Sequence, residues 1–224
     1  MNNLIYLCIL IISIFTIYIA NKLLGKIGLI GTFIGMSVIS FLLTFKYVTL
    51  STINLNANCI SYVTMFTSLY LLLEICPKKE VKSIVNLNCI INIFTALMLF
   101  ITTYYTQSLT DTISVNMNNV FMDNYKILIF YPLTTLISNY LIIWMYNKIK
   151  HLYDNPFITT VTTFLLIGII EGILYTILVY NNILNYKTMI LIILSTYMIR
   201  LITTVIYSLF LTVLFKKKVK SWIA

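Results

Sequence analysis

Apolar residues run through this chain in long blocks, interrupted by short polar junctions. A helix crossing about 30 Å of hydrocarbon needs about 20 residues. Seven blocks are long enough: residues 4–20, 27–45, 57–75, 83–103, 127–147, 158–180 and 187–215. The last is long enough to need a tilt or a break. Within each block the apolar run is continuous rather than alternating. That predicts helices and not barrel strands, because lipid offers no partner to an unpaired backbone. The junctions are too short for a separate soluble domain. The expected fold class is therefore all-α, a polytopic transmembrane helix bundle of about seven spans, with residues 1–224 forming a single integral membrane domain. The first block lacks a basic leader, and Asn21 to Lys26 does not resemble a small-residue cleavage site, so it is read as a span.

Composition agrees, with 60% hydrophobic and 9% charged residues. Charge adds direction. Lys22 and Lys26 follow the first block, Lys78, Lys79 and Lys82 the third, Lys148 and Lys150 the fifth, and Lys216, Lys217, Lys218 and Lys220 the seventh. The opposite junctions hold Lys46, Lys126 and Lys187. By the positive-inside rule the lysine-rich side is cytoplasmic, which places the N-terminus outside a cell membrane and the C-terminus in the cytoplasm. The net charge of +9 is then accounted for by anionic head groups of the lipid bilayer, and no nucleic acid partner is expected.

Candidate chemistry is sparse. Cys8, Cys59, Cys76 and Cys89 are widely spaced with no CxxC pair, and His151 is the sole histidine, in a basic junction. No metal site, cofactor or catalytic residue is expected. Glu80, Asp111, Asp123 and Asp154 are read as solvated loop charges, so the chain is not expected to be an enzyme. Glu74 is expected to pair locally with Lys78, one helical turn on. Glu171 and Arg200 differ, since both fall inside apolar blocks. An ionised side chain at such depth costs about 2.5–3.5 kcal/mol on insertion scales and should face a partner or a cavity. The sixth and seventh blocks run in opposite directions, which brings the two residues together. Charge alone leaves open a structural ion pair and a substrate or proton site. Tyr62, Phe66 and Tyr70 recur every four residues and share a helix face that suits a flat heterocycle, with Asn58 setting orientation. No Gly-x-x-x-Gly is expected within a span, so nothing is expected to mark a dimer face.

The order of segments resembles the bacterial queuosine precursor transporter family, which imports deazapurine bases. Asn21 to Leu29 resembles that family's Asn-x-x-x-Gly-Lys-x-Gly-Leu junction. Asn58 to Val81 is similar to its Gly-Asn-Ile-x-Tyr segment and the Thr-Asp-x-Leu-x-Glu-x-Tyr-Gly-Lys-Lys-x-Ala run after it, with Tyr62, Phe66, Leu72, Glu74, Lys78 and Lys79 in place. Ile137-Ser138-Asn139 stands where the family has Ile-Ser-Gln, Thr163 to Glu171 spans a Ser-Thr-x-x-Ser-Gln-x-x-Asp segment, and Ser195-Thr196-Tyr197 with Arg200 resembles Ser-Thr-Tyr-x-x-Lys. Family aspartates are replaced by Tyr70, Ile142 and Tyr207, and family glutamines by Asn139 and Gly168; Glu171 retains an acid. Such groups read the N–H edges of a purine-like base, so their loss alters recognition.

The resemblance implies a transporter that takes up a small planar substrate, a queuosine precursor of the 7-deazapurine class. Its candidate substrate-binding residues are Glu171, Arg200, Asn139, Tyr70, Asn58 and Tyr62. Two alternatives stand beside it: the substrate-binding membrane subunit of an energising ATPase complex, and a diverged structural or regulatory membrane protein. A homodimer is a further partner class.

Overall fold

The computed structural model describes residues 2–50, 53–104, 114–153, 155–181 and 183–215. Its elements are α1 (Asn2–Leu43), β1 (Tyr47–Leu50), β2 (Ile53–Asn56), α2 (Cys59–Ile75), α3 (Lys78–Thr102), α4 (Ser114–Asp123), α5 (Tyr125–Leu152), α6 (Pro156–Tyr180) and α7 (Tyr186–Phe215). The chain is an all-α helical bundle. Helices α1, α3, α5, α6 and α7 are each long and apolar enough to cross a membrane, whereas α2 is a shorter apolar helix of 17 residues. The outer faces carry Ile12, Phe94, Ile129 and Leu194, all more than half exposed. An apolar exterior of this extent belongs in lipid, where it displaces no water. This is the architecture of a multi-pass membrane protein.

The first two expected spans form the single element α1, broken at Gly25, whose backbone (φ 55°, ψ −129°) leaves the helical region. A straight helix of 42 residues would be about 63 Å long. Instead the Asn2 side chain donates to the carbonyl of Thr49, just past the far end of α1, at 2.8 Å. The two legs, 2–24 and 26–43, therefore run antiparallel. Glycine is the residue that reaches such a φ without a Cβ clash. Gly28 makes the corner tight, since a Cβ there would lie 2.0 Å from the Ala20 carbonyl oxygen.

Helix α2 is the axis of the bundle, and every residue from Cys59 to Leu72 is buried. Three of its hydroxyls are satisfied within the helix: Thr64, Thr67 and Ser68 donate to the carbonyls of Ile60, Val63 and Thr64. That lets a polar sequence occupy an apolar core. Neighbours are tied by a few cross-links. Tyr207 on α7 bonds Thr64 at 2.8 Å, Tyr6 on the first leg bonds Thr203 at 2.6 Å, and Asn92 on α3 donates to Ser37 on the second leg at 2.8 Å.

Between α1 and α2 the chain folds into an antiparallel hairpin, with Tyr47 opposite Asn56 and Leu50 opposite Ile53. The sequence reading treated this stretch as a plain junction and placed the third span from 57. The hairpin roofs one end of the bundle, together with the start of α5 and the α6–α7 junction. At the opposite end lie the Gly25 corner and the α2–α3 and α5–α6 junctions. Lys22, Lys26, Lys78, Lys79, Lys82, Lys148 and Lys150 cluster at this second end, against Lys46, Lys126 and Lys187 at the hairpin end. Lys216, Lys217, Lys218, Lys220, Asp111, Asp154 and the C-terminus lie outside the described residues.

Contrary to the expectation that no span carries Gly-x-x-x-Gly, two such spacings are present, in α1 and α6. Gly31 and Gly35 have open space where a Cβ would stand, whereas Gly168 and Gly172 face side chains of α7.

Candidate functional site

Glu171 sits about midway along α6 and Arg200 midway along α7. The short junction between these helices makes them antiparallel neighbours. Small residues beside Glu171 let them approach: a Cβ on Gly168 would come within 3.4 Å of the Tyr197 ring, which stacks on Phe164 at 6.4 Å between centroids and 7° between planes. The expected pair is formed, with Arg200 Nη1 2.7 Å from Glu171 Oε2 and side chains 8% and 5% exposed. Two charges so enclosed are stable only if each also meets its remaining polar demand.

Helix α2 supplies part of that complement. Arg200 Nη2 donates to Asn58 Oδ1 at 3.2 Å, and the guanidinium carbon lies 3.7 Å from the centre of the Tyr62 ring. The ring's negative face is worth about 2 kcal/mol to a desolvated cation. Asn58 is itself held, since its Nδ2 donates to Thr44 Oγ1 at 2.9 Å and its backbone N–H to Asn56 Oδ1 at 3.0 Å. Asn56 in turn donates to the Thr44 carbonyl at 2.8 Å. Thr44, Asn56 and Asn58 thus form a polar knot at the base of the hairpin, level with the start of α2.

A cavity of about 30 Å³ opens beside the pair, walled by Glu171, Arg200, Thr196, Asn58, Asn56 and Tyr47. Arg200 Nε and Thr196 Oγ1 are buried there with no hydrogen-bond partner. The volume suits one or two waters and no organic ligand. Its roof is the hairpin, which is pinned by Ser195 donating to the Asn54 carbonyl at 3.1 Å and by a Tyr47–Tyr180 hydroxyl bond. Burial, and then the neighbouring Tyr180, push the Tyr47 phenol well above its ordinary range, so it stays a neutral hydrogen-bonding group.

Of the six candidate residues, Glu171, Arg200, Asn58 and Tyr62 converge and Asn139 and Tyr70 do not. Asn139 is fully buried in α5, with neither amide atom partnered, away from the cavity walls. The aromatic face of α2 divides. Tyr62 carries Arg200 and meets the edge of Phe66 at 4.4 Å, while Tyr70 turns to α5 and stacks on Tyr146 at 5.2 Å. The pocket expected between Glu171, Arg200, Asn139 and that whole face is therefore not formed. Tyr47, Asn56 and Thr44 were not anticipated. A signal was present in Ile53-Asn54-Leu55-Asn56, whose period-two alternation is that of a half-buried strand.

Three acids depart from expectation, Asp123 because it closes helix α4 rather than lying in a loop. Glu74 does not pair with Lys78, because Pro77 ends one helix and caps the next, destroying the i, i+4 geometry between them. It holds Lys150 at 2.6 Å and accepts from Tyr146. Glu80 is not in a loop but in the first turn of α3, where the helix dipole favours an acid, and it pairs with Lys26. Among the described residues no three His, Cys, Asp or Glu side chains group as a metal site. No family model matches the chain, and comparison with curated proteins and with solved structures finds no match.

Proposed function

We propose that this protein is a transporter of a small, planar, polar molecule across a cell membrane, with Glu171, Arg200, Asn58 and Tyr62 as the contact set. The observation that supports this reading most is a buried charge pair beside a cavity under the hairpin, with Arg200 and Thr196 among the cavity walls and their Nε and Oγ1 left without a hydrogen-bond partner. A structural pair has no need of that surplus. A carboxylate, a guanidinium and an amide are together groups that read the N–H and C=O edges of a flat heterocycle, and the Tyr62 face, covered by Arg200, holds the guanidinium in place. The resemblance to the queuosine precursor family narrows the substrate to a 7-deazapurine base.

The cavity is far below the 300 Å³ or so at which ligand sites begin, so this conformation is closed. Loading requires the hairpin to separate from α6 and α7, breaking the Tyr47–Tyr180 and Ser195–Asn54 bonds. Movement of one element over a fixed polar site is how alternating access operates. The lysine split supports an outward N-terminus and a cytoplasmic C-terminus, which sets the hairpin on the outer face. The proposal assigns the chain no bond-making chemistry. An energising ATPase as partner would be detected by its copurification. A purely structural or regulatory role is favoured by one observation, the tight closure around the pair.

The deciding measurement is uptake of labelled deazapurine bases by cells expressing the chain. Glu171→Gln should lower uptake more than it lowers abundance, whereas a structural pair loses both in step. Wild-type uptake no greater than that of cells without the chain refutes the substrate assignment.

A further inference from the structure

A second and larger concavity lies at the lysine-rich end of the bundle, between α3 and α5. Its volume is about 450 Å³, within the range that holds a ligand. Lys78 and Lys82, one turn apart on α3, form one wall. Tyr140, Trp144 and Lys148 recur every four residues along α5 and form the other, with His151 just beyond. The Tyr140 hydroxyl donates to Asn86 Oδ1 on α3 at 2.7 Å and holds the two helices in this relation.

The charge here is unbalanced. The nearest acids are engaged elsewhere, Glu80 by Lys26 and Glu74 by Lys150 and Tyr146. No carboxylate lines the groove, and Lys78, Lys82 and Lys148 have no ion-pair partner among the described residues. Lys148 rests its ammonium 3.8 Å from the centre of the Trp144 ring, which orders it without neutralising it. Three uncompensated cations converging on one concavity call for an anion with several oxygen acceptors. The rest of the wall is amphipathic, with Trp144 54% exposed and Tyr140 36% exposed toward the surroundings of the bundle. Tryptophan and tyrosine in this position mark the level where head groups give way to acyl chains.

We infer that this groove is a binding site for an anionic phospholipid, its phosphate held by Lys78, Lys82 and Lys148 and its acyl chain laid along Trp144 and Tyr140. Basic pockets between spanning helices at a lysine-rich face recognise lipid phosphates in this way. The site is separate from the Glu171–Arg200 cavity, which lies under the hairpin and shares no lining residue with it, and the inference stands whether or not the protein transports anything.

Trp144 is a reporter, because the chain has two tryptophans and the other, Trp222, can be replaced. The full chain carrying Trp222→Phe is reconstituted in phosphatidylcholine vesicles, and tail-brominated phosphatidylglycerol or tail-brominated phosphatidylcholine is titrated in as quencher. Half-quenching of Trp144 is expected at a mole fraction at least fivefold lower for the phosphatidylglycerol. Lys78→Gln/Lys82→Gln/Lys148→Gln should abolish that preference, and Lys46→Gln/Lys126→Gln/Lys187→Gln should keep it. Equal quenching by the two lipids overturns the inference without recourse to any variant. So does loss of the preference on adding millimolar inorganic phosphate at constant ionic strength, which would identify a site for a soluble anion.

Discussion

Removing the Glu171 carboxylate while leaving Arg200 in place tests the central geometry most directly. In Glu171→Gln the guanidinium remains 8% exposed, with Asn58 Oδ1 at 3.2 Å and the Tyr62 face at 3.7 Å as its remaining support. Breaking one partner of a buried ion pair costs about 3–5 kcal/mol, because the other charge is left uncompensated. The cation–π contact and the amide bond persist, and the new glutamine can still accept one hydrogen bond worth about 1 kcal/mol. The expected loss is therefore nearer 3 than 5 kcal/mol. Arg200→Met strands the carboxylate instead and, with no comparable support, should cost at least as much. Glu171→Leu/Arg200→Met removes both charges and should lie within about 1 kcal/mol of the wild type, since a well-packed apolar replacement of a buried pair is often neutral. Equilibrium unfolding in mixed detergent micelles, followed by far-ultraviolet circular dichroism, measures all three. A double variant that loses as much as either single variant would show that removing the second charge relieves nothing, and the site described above would be wrong.

Gly25→Ala should destabilise the protein by about 1–3 kcal/mol in the same assay, although nothing lies within 4 Å of the added methyl, because the cost is backbone strain at φ 55°; unchanged stability would mean the corner can relax. Glu74→Gln should cost no more than about 1 kcal/mol, because Lys150 is 42% exposed and a solvated ion pair contributes little, so a loss of several kcal/mol would refute that assignment. A reporter active only in the cytoplasm, fused after Ala224, should be active, and activity of an exported reporter there would reverse the orientation.

Much of the bundle was legible because lipid imposes one requirement on every residue of a span. Continuous apolar blocks report that requirement locally, so all seven expected blocks coincide with helical segments, the largest differences being the five residues by which α3 starts early and α5 ends late. Glu171 and Arg200 stood out for the same reason, as each violates the pattern around it. The rest depended on contacts between distant residues. Pro77, between Glu74 and Lys78, was a legible sign that the helix breaks there, but nothing near Glu74 discloses that Lys150, 76 residues on, swings into reach. The every-fourth-residue spacing of Tyr62, Phe66 and Tyr70 defines a face but not its neighbours, and α7 and α5 divide that face between an arginine and a tyrosine. Whether Asn139 reaches the pair is a question of helix rotation, which a single buried amide does not specify. The chain's own order thus determined which segments form apolar helices and which two charges are out of place, since apolar continuity is a property of each segment alone. Tertiary structure decided that a hairpin roofs the charged pair, that the cavity beside it is closed to about 30 Å³, and that four of six candidate side chains meet, because those depend on the relative depth and rotation of helices packed against each other.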